Sequence, residues 1–189
     1  MNHRYLQKFQ IKDVVFLAIM SAVALATCAV MPLVISLQPL IFGISQLVTA
    51  LQIGVFFAIG PYKVRKPGSL LIMALMMGLI QLMMSPPMFL SSVLNGVLIE
   101  LIVLLLFRGY EKDAAVFVAA MLHTPLSLPF NYLYNRLVKG TGSPLAAVAD
   151  RAPLAAVGMT LAVVAVSALG ALIGIKIARE LKKSGVLKK

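Results

Sequence analysis

The stretch from Pro86 to Arg108, PPMFLSSVLNGVLIELIVLLLFR, constrains this chain more than any other. At about 1.5 Å of rise per residue, a helix over Met88 to Phe107 covers a hydrocarbon core of about 30 Å. In lipid, only helices and closed barrels satisfy every backbone polar group internally. The run nevertheless carries Asn95 and Glu100. A carboxylate at mid-bilayer costs about 2.5 to 3.5 kcal/mol on insertion scales, so Glu100 reads as a functional-site candidate or else as a Glu that hydrogen-bonds a neighbouring helix and does nothing more.

The rest of the chain agrees with a membrane setting. Residues of hydrophobic type make up 61% of it and charged residues only 12%, about half the charged share of a soluble domain. The 189 residues leave room for one compact helical bundle, a single membrane domain over 1–189, and for no separate soluble domain. A net charge of +11 would suggest nucleic acid in a soluble protein. Here the basic residues lie between and beyond the apolar runs, where they set orientation, and nucleic acid is excluded as a partner. The single cysteine, Cys28, reads as a packing residue inside the first run. That run is of spanning length without a small-residue cleavage site, so it reads as a retained helix rather than a signal peptide.

Taken in order, the pattern predicts an all-α integral membrane protein, a bundle of six transmembrane helices. The spans fall at about 14–34, 40–59, 68–84, 88–107, 114–134 and 153–175. The first span ends near Pro32 and the second at Gly60-Pro61. Gln38 to Gln46, with Pro39 and Gly43, reads equally as a short broken segment at the outer face. Methionines at helical spacing in span three read as adaptable packing. Residues 135–151 form the longest connection and a candidate outer lid. Of the 17 Lys and Arg residues, all but Arg136, Lys139 and Arg151 fall in the termini and in loops two and four. The asymmetry places both termini in the cytoplasm.

Within that frame the polar residues are unevenly spread. Ser92, Gly96 and Glu100 recur at four-residue steps, as do His123, Ser127, Asn131 and Asn135, so each set shares a helix face. Pro125 and Pro129 interrupt the hydrogen bonding of span five, and a kinked, polar-striped helix in lipid fits a cavity better than a lipid contact. Gln81, Ser92, Asn95, Ser127, Asn131 and Asn135 fall in the outer half, with Glu100 and His123 near mid-depth. Tyr132 and Tyr134 read either as interface-belt residues or as ring contacts to a ligand. Together these groups predict a substrate pocket open to the outside, formed by Glu100, Asn95, Gln81, Ser92, His123, Ser127, Asn131, Asn135 and Tyr132.

The absence of a nucleotide-binding loop, HExxH, GxSxG or paired Cys/His spacing leaves ATP hydrolysis and metalloprotease chemistry without a foothold, and no cofactor, metal ligand or catalytic residue is assigned. An intramembrane enzyme would have only His123 with Ser127. A self-sufficient ion-coupled carrier, with Glu100 and His123 relaying protons, is the alternative to a binding subunit, and it lacks the paired broken helices of an inverted repeat. On span one, Ala18, Ala22 and Ala26 make a small-residue face suited to close helix approach, either within the bundle or by a separate membrane subunit.

Six spans in so short a chain, the alanine face and the polar outer cavity resemble the substrate-binding S components of energy-coupling-factor (ECF) vitamin transporters. Arg65-Lys66-Pro67-Gly68 before span three, Gln38-Pro39 before span two, and Asn95-Gly96 followed by Glu100 are similar to the YkoE-like type for thiamine or its hydroxymethylpyrimidine precursor. The resemblance implies that Ala18, Ala22 and Ala26 dock a transmembrane coupling (T) subunit, that two ATPase subunits drive uptake, and that Glu100 meets an aminopyrimidine.

Overall fold

A computed structural model describes residues 8–28, 30, 33–34, 36–140 and 143–185. Among them there are seven helices and no strand: α1 (Ile11–Thr27), α2 (Ile44–Val64), α3 (Ser69–Leu82), α4 (Pro86–Phe107), α5 (Asp113–Leu137), α6 (Pro144–Arg151) and α7 (Pro153–Lys183). Of these, α2, α4, α5 and α7 are long and apolar enough to cross a membrane. Prolines at the first positions of α4, α6 and α7 suit helix starts, because their missing N–H is one that a helix leaves unpaired there anyway.

Several boundaries depart from the sequence pattern. The second span begins at Ile44, after turns over 36–43, and runs through Gly60-Pro61 to Val64. Pro61 does not stop it, because Tyr62 and Val64 beyond it are buried and hold the last turn in place. The helix ends instead on Arg65 in the left-handed conformation, whose N–H bonds the Pro61 carbonyl. α7 continues eight residues past the expected end at Ile175, so the start of the basic tail is helical. The connection expected to be a lid contains α6. The expected end of the first span at Pro32 lies outside the described residues, and α1 itself ends at Thr27.

The bundle is tightest where side chains are absent. A Cβ on Gly170 would stand 2.4 Å from the Leu51 carbonyl oxygen and one on Gly174 2.4 Å from that of Val55, so α2 and α7 touch backbone to backbone. α3 and α4 meet similarly, with a Cβ on Gly96 only 2.6 Å from that of Ala74. Around these contacts Leu17, Phe57, Leu70, Met73, Ile99, Val103 and Val116 are wholly buried. Outward-facing Leu101, Leu105, Leu161 and Leu172 are exposed, as lipid-facing residues are. α1 buries Leu17, Ser21 and Ala24 and leaves Ala22 and Ala26 exposed, with Ala18 half-buried.

Two side-chain bonds tie helices through backbone carbonyls. Ser21 Oγ donates to the Met73 carbonyl of α3 at 3.1 Å. Ser167 Oγ of α7 donates to the Met121 carbonyl of α5 at 2.8 Å. The second has a specific cause: Pro125, four residues after Met121, has no N–H to give it, and the α7 hydroxyl supplies the missing donor.

Replacing Gly174 by Ala should cost about 1 to 3 kcal/mol by forcing α7 off α2. Gly158→Ala, at a position with nothing within 4 Å, should be neutral or stabilising. Thermal unfolding of the two variants in detergent checks this; equal midpoints would mean that α2 and α7 do not depend on that contact.

Candidate functional site

One end of the bundle is cross-linked by polar bonds. Arg65 donates from Nε to the Tyr62 carbonyl at 2.9 Å and from Nη1 to those of Tyr110 and Glu111 at 3.0 and 2.8 Å. It also pairs with Asp113, which Arg179 holds from α7 at 2.6 Å. Lys66 pairs with Asp13 of α1 at 2.6 Å and donates to the Lys8 carbonyl. This basic end therefore gathers the start of α1, the end of α7 and both intervening loops.

Glu100 belongs to that end. Its carboxylate accepts the Gly68 N–H and the Tyr110 hydroxyl, the latter at 2.8 Å. Gly68 stands at φ +92°, a conformation that L side chains rarely adopt, and this turns its N–H toward the carboxylate. Burial first, and the adjoining carboxylate second, push the Tyr110 phenol well above its usual pKa, so it remains a donor. Glu100 lies about 7.5 Å further along α4 than Asn95, at the rise of an α-helix, and does not line the cavity described next. Glu100, expected in the substrate pocket, is placed outside this cavity. Its turn of α4 faces the α2–α3 loop, and Gly96 serves the approach of α3 rather than a ligand.

The cavity opens at the opposite end and has a volume of about 680 Å³. α1 contributes Leu25 and Cys28, the turn before α2 gives Gln38, and α2 gives Gln46 and Thr49. Gln81 comes from α3, Ser91, Ser92 and Asn95 from α4, and the polar face of α5 makes up much of the rest. Of the residues expected from sequence, Asn95, Gln81, Ser92, His123, Ser127, Asn131 and Asn135 converge here. Tyr132 does not. Its hydroxyl lies outside, donating to Asp150 at 2.7 Å and accepting from Arg136. Tyr134 lines the cavity in its place, because two helical residues turn about 200° and put residues i and i+2 on opposite faces.

The lining is graded from mouth to floor. At the mouth the polar groups bond one another: Asn135 Nδ2 donates to Asn131 Oδ1 at 2.8 Å, and Ser143 Oγ donates to Asn135 Oδ1 at 3.0 Å. Gln38 donates to Ser45, which donates to Gln46, and Ser92 donates to Gln81. Deeper, the pairing stops. Both ring nitrogens of His123, the Oδ1 of Asn95 and the hydroxyl of Thr124 are buried without a hydrogen-bond partner. The His123 ring leans on Phe57, centroids 4.2 Å apart and planes tilted by 46°. An unpaired buried polar atom costs about 1 to 3 kcal/mol. Three such side chains meet on one cavity floor.

Sequence reasoning missed Thr124, Ser91, Gln38 and Gln46 as lining residues. Thr124 could have been found from its place beside His123 on the kinked turn, and Gln38 from the proline-broken segment it opens. No group of three or more His, Cys, Asp or Glu suited to a metal occurs among the described residues.

The helical bundle has a counterpart among solved structures. The chain superimposes on a structure described as "Crystal structure of an S-component of ECF transporter" with a TM-score of 0.65 and 22% identity, over 95% of this chain and 89% of that one. The fold is therefore that of an S component. The chain belongs to the Trep_Strep family, described as hypothetical bacterial integral membrane proteins, whose model matches residues 11–183. No curated protein matches it.

Tyr110→Phe should remove one bond to Glu100 and lower stability by about 1 to 3 kcal/mol. Binding of a ligand in the cavity should be unchanged within about twofold. Thermal unfolding and titration calorimetry on one preparation separate the two readouts, and a variant that loses affinity at full stability would return Glu100 to the site.

Proposed function

We propose that the protein is the substrate-capturing S component of an ECF-type importer, YkoE-like, and performs no chemistry of its own. The observation that carries this reading is the cavity floor, where His123, Asn95 and Thr124 hold unpartnered polar atoms beneath a polar mouth. A volume of about 680 Å³ suits one small organic molecule of vitamin size. Thiamine or its hydroxymethylpyrimidine precursor is the substrate suggested by the sequence resemblance, and the likeness in fold to an S component supports the class.

In this reading the chain crosses the membrane six times as one domain, with both termini and the ion-paired end in the cytoplasm and the cavity mouth outside. The basic loops support that orientation. Ala22 and Ala26, exposed on α1 beside half-buried Ala18, form the face on which a transmembrane coupling subunit packs, and two ATPase subunits supply the energy. Gln81, Ser92, Ser127, Asn131 and Asn135 frame the ligand above the floor.

The purified protein should bind one small molecule without any energy source, and His123→Leu should weaken binding at least about tenfold, roughly 1.4 kcal/mol. The double variant Ala22→Trp, Ala26→Trp should abolish ATP-driven uptake in cells while its dissociation constant stays within about twofold. Uptake by the isolated wild-type chain in proteoliposomes under a proton gradient, without ATP, would replace this reading with that of an ion-coupled carrier.

A further inference from the structure

The chain has six acidic residues, and every one is engaged or placed away from the cavity. Asp13 pairs with Lys66, Asp113 with Arg65 and Arg179, Asp150 with Arg136 and Glu180 with Lys183. Glu100 is held by Gly68 and Tyr110, and Glu111 is exposed in the loop at the basic end. All six lie among the described residues, so the remainder of the chain adds no acidic side chain. At the cavity rim stands a cation, Lys139.

An organic cation entering this hollow would shed its hydration with no counter-charge to meet it, the costliest form of charge burial. The faces of Phe130 and Tyr134 offer cation–π attraction, which recovers only a fraction of that penalty. The floor has the opposite character. His123 presents two ring nitrogens, Asn95 an acceptor, and Thr124 a hydroxyl that serves as donor or acceptor, and these side chains are 4%, 1% and 3% exposed.

Resting on the capture reading above, we infer that the ligand is an uncharged heterocycle with donors and acceptors along one edge, which seats on His123, Asn95 and Thr124, and that the cavity rejects organic cations. Of the two compounds considered above, this selects the neutral pyrimidine over thiamine, whose thiazolium carries a permanent charge. It also reassigns the discriminating role from a carboxylate to the lack of one.

The test uses the full chain, purified in detergent. Native mass spectrometry identifies any molecule that co-purifies, and the stripped protein is titrated at pH 7.5 with hydroxymethylpyrimidine and with thiamine. A neutral co-purifying compound, or pyrimidine binding at least about 30-fold tighter than thiamine, is the expected result. A co-purifying organic cation, or thiamine binding as tightly as the pyrimidine, overturns the inference and leaves the capture reading standing. A protein that carries nothing and binds neither compound removes the capture reading itself. In Asn95→Asp the preference should move toward thiamine by at least about tenfold, because the floor then holds a negative charge. A ratio that does not move rules Asn95 out as a ligand contact.

Discussion

Hydrocarbon offers no hydrogen bonds, and this single constraint orders the whole molecule. At two places inside the bundle a side chain of one helix bonds a backbone carbonyl of another. Ser167 answers the carbonyl that Pro125 leaves open, and Ser21 reaches across to Met73. At the basic end Arg65, in the left-handed conformation, closes off three carbonyls, and Gly68 and Tyr110 satisfy Glu100. Of the buried polar atoms left unpaired, Gln52 Oε1 lies away from the cavity, whereas those of His123, Asn95 and Thr124 meet along it. The same physics that makes most of the bundle inert makes its floor receptive.

Glu100 illustrates how the constraint can mislead a reader of the sequence. A carboxylate in an apolar run has to be paired, and in a one-dimensional pattern the partner is invisible. Here the partners are a backbone N–H thirty-two residues away and a phenol in the following loop. Neither carries a charge, so neither announces itself as a counter-ion. The helical stripe on α5 was far more legible, because His123, Ser127, Asn131 and Asn135 share a face by simple periodicity, and the structure keeps them together on one cavity.

The fold class, the two ends of different character and most of the cavity lining followed from hydropathy, charge asymmetry and helical spacing. The element boundaries did not. Gly60-Pro61 looks like a terminator, yet the burial of Tyr62 and Val64 carries α2 past it. The α6 helix is short and lies in a stretch of small residues whose helicity shows only once Leu145, Ala146 and Ala149 bury against their neighbours. Tyr132 and Tyr134 were indistinguishable by composition, and only the helix phase fixed by the packing of α5 separates the outward ring from the inward one.

The asymmetric distribution of cross-links also gives the bundle a mechanical character. Ion pairs and carbonyl clasps rivet α1, α5, α7 and the two loops together at one extremity. At the other extremity one ion pair, Arg136 with Asp150, joins α5 to α6, the remaining side-chain bonds are between amides and hydroxyls, and the approach to α2 is irregular turn rather than helix. Local opening therefore breaks fewer ionic bonds at the cavity than at the riveted end.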